Sequence, residues 1–248
     1  MTKRPLPSTL HSEGVDLWRA EALLKTSQLT GPLESSAFDR TIWKRPALVG
    51  HLQGVFRNVC AYCECPYAAG YPAVEHYRPK STLLNDPAGH KGYYWLAYDD
   101  RNYRFACTPC NTNKSSRFPV AGTRAAGPAD DLTLEAPLLV DPCESVDPDD
   151  HFVFSANGEI AGLTAAGRQT ITLLKLNRDI LVAQRKTHWM YFVNSINSVL
   201  AARDPKMVTF PSPPTYLGVF RAAVHDLRKK HQDHVDFFDG LLDLLRLL

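Results

Sequence analysis

Six cysteines occur in the 248-residue chain, and four stand in two Cys-x-x-Cys pairs, Cys60-Ala-Tyr-Cys63 and Cys107-Thr-Pro-Cys110. Four thiolates supplied this way form the tetrahedral sulfur set that a closed structural Zn²⁺ site requires. A redox role is the weaker reading, since neither pair opens a strand–helix–strand unit. Cys65 and Cys143 have no partner motif and read as small apolar fillers. Between the pairs lies "VEHYRPK", where Glu75 and His76 are adjacent and Arg78 and Lys80 bracket Pro79. Adjacent residues of a strand point to opposite faces, so an acid and an imidazole placed this way can approach one ligand from two sides.

Around this clamp stand two amides. Asn102 lies five residues before Cys107, and Asn111 follows Cys110 directly, giving Cys-x-x-Cys-Asn-x-x-Lys through Lys114. Taken in order, these elements resemble the HNH endonucleases over residues 60 to about 120. That resemblance implies an α+β chain with a ββα-metal HNH core, braced by a four-cysteine zinc site and carrying flanking and C-terminal helices. It also implies phosphodiester hydrolysis, a reaction that needs a base, charge neutralisation and help for the leaving oxygen. Glu75 and the Asn111 carbonyl would hold a catalytic Mg²⁺ or Mn²⁺, since oxygen donors suit hard cations. His76 would deprotonate the attacking water. Asn102 would brace the loop carrying His76. Lys114, Arg78 and Arg104 are the candidates for phosphate contacts that position the strand without reading its sequence. Arg78 has a structural alternative, packing over Tyr77 or Tyr103.

A second resemblance, over about residues 55 to 190, is to the HNH subunit of Septu-type anti-phage defence systems, the PtuB-like family. It implies a nuclease effector acting on DNA or RNA with an ABC/SMC-type ATPase partner, alone or with a retron. The competing function is a catalytically silent zinc module that binds nucleic acid or a partner ATPase. A purely structural zinc protein presenting its C-terminal helices is a third reading, and it leaves a basic stretch unexplained. Five basic residues and no acid lie between Arg101 and Arg124, whereas eight acids and no base lie between Pro128 and Asp150. Such a split can make a positive face for phosphate.

The elements that must position these residues fall into three segments. Residues 1–58 form an N-terminal helical segment, with "SEGVDLWRAEALLKTS" and Ala47 to Phe56 as helices. Residues 59–163 hold the nuclease region and, at Asn157-Gly158, a hairpin turn. Residues 164–248 are a C-terminal helical region, in which Thr164 caps one helix and Asn177 a longer one. The chain closes on "GLLDLLRLL", which is apolar on nearly every side and therefore suited to packing or docking. The aromatic run Tyr93, Tyr94, Trp95, Tyr98 and Tyr103 reads as core, and His151, His231 and His234 as solvated. No run of about 18 apolar residues is present, so no membrane helix is expected. The N-terminus lacks the apolar stretch of a secretory signal, which leaves a cytoplasmic location as the expectation.

Overall fold

The computed structural model describes residues 1, 3–66, 73–143, 148–155, 157–187, 190 and 194. The fold is α+β. Helix α1 (Glu13–Ser27) starts where Ser12 turns the chain from extended to helical, although the Ser12 hydroxyl makes no capping bond. Its Val15, Trp18 and Ala22 are buried, while Leu17, Leu23 and Leu24 face outward. A helical stripe of three residues therefore does the packing, and the other apolar positions do not. Asp39 caps the single turn α2 (Arg40–Trp43), its carboxylate accepting from Thr41 N. Pro46 opens α3 (Pro46–Val55), where a missing N–H costs nothing.

Strand β1 (Ala73–His76) pairs antiparallel with β2 (Tyr103–Ala106), setting Glu75 opposite Arg104 and His76 opposite Tyr103. Helix α4 (Thr108–Lys114) follows β2 at once, with Pro109 in its first turn and Cys107 at its N-cap. Two side-chain clusters share this pair of strands. One gathers Trp18, Ile42, Trp43, Leu52, Tyr103 and Phe105 under the N-terminal helices. The other gathers Tyr62, Tyr77, Tyr93, Cys110, Phe118 and Leu174 beneath the following segments. Of the aromatic run, Tyr93, Tyr98 and Tyr103 are buried, as a core role requires.

The hairpin falls where Asn157-Gly158 places it, joining β3 (Phe152–Phe154) to β4 (Ile160–Gly162). Gly158 sits at φ +89°, a conformation that side-chain-bearing residues rarely adopt. Thr164 caps α5 (Ala165–Leu174) by accepting from Gly167 N at 3.0 Å. Asn177 is not a helix cap. Its Oδ1 accepts from Ile160 N and its Nδ2 donates to Ile160 O, so it binds β4, and helix resumes over 179–187. His151 is half-buried and bonded to the Thr164 hydroxyl at 2.6 Å, not solvated. His231, His234, the proline-rich break after Asp204 and the leucine-rich terminus lie outside the described residues. No described helix is long and apolar enough to cross a membrane.

Candidate metal centre and active-site cleft

Residues 59–66 form a tight knuckle, closed by a bridge between Val59 and Pro66 and by Cys60 N donating to Cys65 O. Ala61 N donates to Phe105 O, which fastens the knuckle to β2. The Cys60 and Cys63 thiols thereby meet Cys107 and Cys110 at the start of α4. All four sulfurs lie within 4.8 Å of one another, and Cys63 Sγ is 3.7 Å from Cys107 Sγ. A tetrahedral Zn²⁺ with ~2.3 Å bonds needs sulfurs about 3.8 Å apart, so the residues present fit that ion. Hydrogen bonding among the thiols holds Cys63 and Cys107 below the ordinary thiol range and pushes Cys60 and Cys110 above it. A bound dication replaces that proton sharing with four thiolates. Cys143 is buried, with its backbone N–H donating to Asp141 Oδ1, whereas Cys65 is half-exposed and bonded to Gln184.

Glu75, His76 and Asn111 are among the residues that line a cleft of about 760 Å³. Burial pushes the His76 imidazole down to about 3, and the neighbouring Lys80 charge adds to the effect. The ring is therefore neutral at physiological pH. Its Nε2 lies 2.9 Å from Ala97 O, and a carbonyl only accepts, so Nε2 carries the proton and Nδ1 keeps its lone pair. The ring packs edge-on against Trp43 at 5.0 Å and Tyr103 at 5.1 Å. Asn102 grips the next turn: Oδ1 accepts from Arg78 N, and Nδ2 donates to Arg78 O and Leu96 O.

Glu75 is engaged at both oxygens. Tyr62 Oη donates to Oε2 at 2.6 Å, and Lys114 Nζ lies 2.5 Å from Oε1. A carboxylate offers about four lone-pair sites, so two remain. The half-buried Asn111 lines the same cleft, so its amide oxygen and the Glu75 carboxylate would offer two oxygen donors to a Mg²⁺-type ion, whose other positions waters or phosphate oxygens would take. The donor chemistry fits such an ion, with the Lys114 charge as its competitor.

The three expected phosphate contacts are spent elsewhere. Lys114 is fully buried, pairing with Glu75 and donating to His76 O at 2.8 Å. Arg104 is 2% exposed and forms a two-pronged ion pair with Asp141. Burial alone would lower its pKa, and Asp141 more than offsets that. Arg78 pairs with buried Glu135 at 2.7 Å and stacks over Tyr77 and Phe118, the packing alternative. Arg101 and Arg124 pair with Asp99 and Asp86. The expected positive face over 101–124 is thus largely cancelled within the fold. Other cations rim the cleft: Lys80, after Pro79, and Arg40 and Lys44 from the N-terminal segment. Nothing local in the sequence marks the last two.

No family model matches the chain. It is 35% identical over 144 residues to a Bacillus mycoides (strain KBAB4) protein named Septu protein PtuA, a match covering 56% of this chain and 20% of that protein. The relative carries the PtuA name, not that of the PtuB-like component the sequence resembles. The chain spans about a fifth of the length of the curated relative it matches, and over that span it is similar to a protein of the Septu system.

Proposed function

We propose that the chain is a metal-dependent endonuclease of the HNH, ββα-metal type that serves as an effector in Septu-type anti-phage defence. The observation that carries this reading is His76, neutral and fixed as the Nε2–H tautomer in a cleft that Glu75 and Asn111 also line. Nδ1 accepts the proton of the attacking water. Glu75 and Asn111 would hold a divalent cation, which would supply charge neutralisation at the phosphate and the leaving oxygen. Asn102 holds the backbone past His76, and Lys114 holds the His76 carbonyl, so the imidazole keeps its place. The sequential β1, β2 and α4, with the thiol cluster beneath, support the fold assignment. Similarity to part of a much longer Septu protein supports work alongside a larger subunit, for which an ABC/SMC-type ATPase is the proposed partner.

A second reading, a silent zinc module that binds nucleic acid or a partner, draws on the Lys114–Glu75 ion pair, which already neutralises the carboxylate. Plasmid DNA and RNA cleavage with Mg²⁺ or Mn²⁺, with and without the partner ATPase, decides between them. His76→Ala should cost ~10²–10⁴-fold in cleavage while zinc content and fold persist. Asn111→Ala should raise the metal concentration needed. Cleavage by His76→Ala at the wild-type rate would make another residue the base, whereas no cleavage by the wild type, with or without the partner, would leave the silent module standing.

A further inference from the structure

We propose that Arg40, Lys44 and Lys80 form the cradle that grips the phosphodiester backbone of a nucleic-acid strand, so that the N-terminal segment is half of the binding cleft. The proposal rests on the nuclease reading for its ligand but not for its geometry. Arg40 lies on α2, Lys44 directly follows it, and Lys80 directly follows Pro79; all three line the cleft that holds His76. Among the described residues, no carboxylate is within ion-pair distance of any of them, in contrast to Lys114, Arg78, Arg104 and Arg101. Arg40 and Lys44 are exposed, so water satisfies them at little cost. Lys80 is different. It is half-buried, with its ammonium 5.1 Å from the centre of the Trp43 ring and 5.5 Å from that of Phe38.

Holding Lys80 there carries a desolvation cost that a bound anion would offset. Burial lowers its pKa, the neighbouring Arg40 charge lowers it further, and the Glu75 carboxylate, outside ion-pair distance, offsets only part of this. Two like charges kept together, one of them partly desolvated, become favourable when a phosphate oxygen sits between them. The aromatic walls fix the ammonium in place and contribute cation–π attraction. The backbone also fixes Lys80 from behind: Tyr93 N donates to Pro79 O, and the chain returns so close that a Cβ on Gly92 would meet Ser81 O at 2.3 Å. Ser81, Ser115 and Ser116 add hydroxyls along the same lining. None of these groups reads a base edge, so the grip is electrostatic and indifferent to sequence.

Fluorescence anisotropy with labelled DNA and RNA strands of about 20 nucleotides, single and duplex, without added divalent metal, tests this. The Arg40→Gln/Lys44→Gln/Lys80→Gln chain should bind at least ten-fold more weakly at low salt. Its slope of log K against log salt should fall by about 2 on single strands and about 2.7 on duplex DNA, as expected for the loss of three phosphate contacts. Lys80→Arg should retain binding, and Arg101→Gln with Arg168→Gln should leave it unchanged. Thermal midpoints identify any variant that fails to fold, and the charge-retaining Lys80→Arg then stands against the single Arg40→Gln and Lys44→Gln chains. Unchanged affinity and slope in the triple variant overturns the cradle, as does a wild-type chain that binds no strand. Normal binding by that variant with cleavage lost in His76→Ala removes the cradle and keeps the nuclease. Weakened binding by that variant, with no cleavage by the wild type in Mg²⁺ or Mn²⁺, keeps the cradle and removes the nuclease.

Discussion

Burial of His76 has a thermodynamic consequence that is independent of catalysis. Its folded pKa of about 3 lies below the ordinary 6.5, because the ring is buried between Trp43 and Tyr103 with Lys80 nearby. Between those two values the unfolded chain binds a proton that the folded chain does not. The His76 contribution is therefore complete above about pH 6.5 and is lost as pH falls toward about 3. Urea midpoints at about pH 7 and about pH 5 should drop more for the wild type than for His76→Gln, whose amide can still donate to Ala97 O. Acid release of a zinc held by the four cysteines would be common to both chains, so the difference isolates His76; equal drops would assign the acid sensitivity elsewhere. At this scale the sequence was legible where the chemistry is local, as in the Cys-x-x-Cys spacing and the Glu-His pair. It was misleading for the cations. Asp141, which claims Arg104, is 37 residues away, and Glu135, which claims Arg78, is 57 away. No spacing rule reports such partners.

Elements were legible in proportion to their dependence on local signals. Asn157-Gly158 specifies its hairpin, and Thr164 its helix, because turn and cap chemistry act within a few residues. Asn177 carries the same kind of signal, yet it bonds Ile160, because β4 leaves that residue's N–H and C=O to be satisfied. The displaced role has a further effect. Arg178, just before the helical run 179–187, donates to Leu174 O and Lys175 O and points Nη2 at Cys110 Sγ, 3.6 Å away. A cation there would offset the negative charge of four metal-bound thiolates and links the segment after α5 to the cysteine cluster. Arg178→Gln should speed zinc release to a chromophoric chelator by ~10-fold or more while leaving helix content unchanged. A release rate equal to wild type would make Arg178 a packing residue alone.

Across the whole molecule, the thiol cluster sits where the chain's two side-chain clusters share one pair of strands. Cys60 and Cys110 belong to one cluster, but Ala61 between the knuckle's cysteines belongs to the other and bonds to β2. Zinc binding in small sites supplies on the order of 10 kcal/mol of folding energy. A domain's net stability is only about 5–15 kcal/mol, so if the four cysteines hold zinc, losing the ion would remove most or all of it. The effect should not stop at the knuckle. Trp18 packs against Tyr103 at 5.8 Å and donates to Ile42 O, and Trp43 packs against His76, so the N-terminal helices lean on β1 and β2. Cys107→Ser should therefore lose zinc by elemental analysis and also shift tryptophan emission to the red, as the tryptophans of the N-terminal helices become wetted. Chelation of the wild type should reproduce the shift, and added Zn²⁺ should reverse it. If the zinc-free chain keeps blue tryptophan emission and a cooperative urea transition, the N-terminal helices fold without the metal centre, and only the knuckle and α4 depend on the ion.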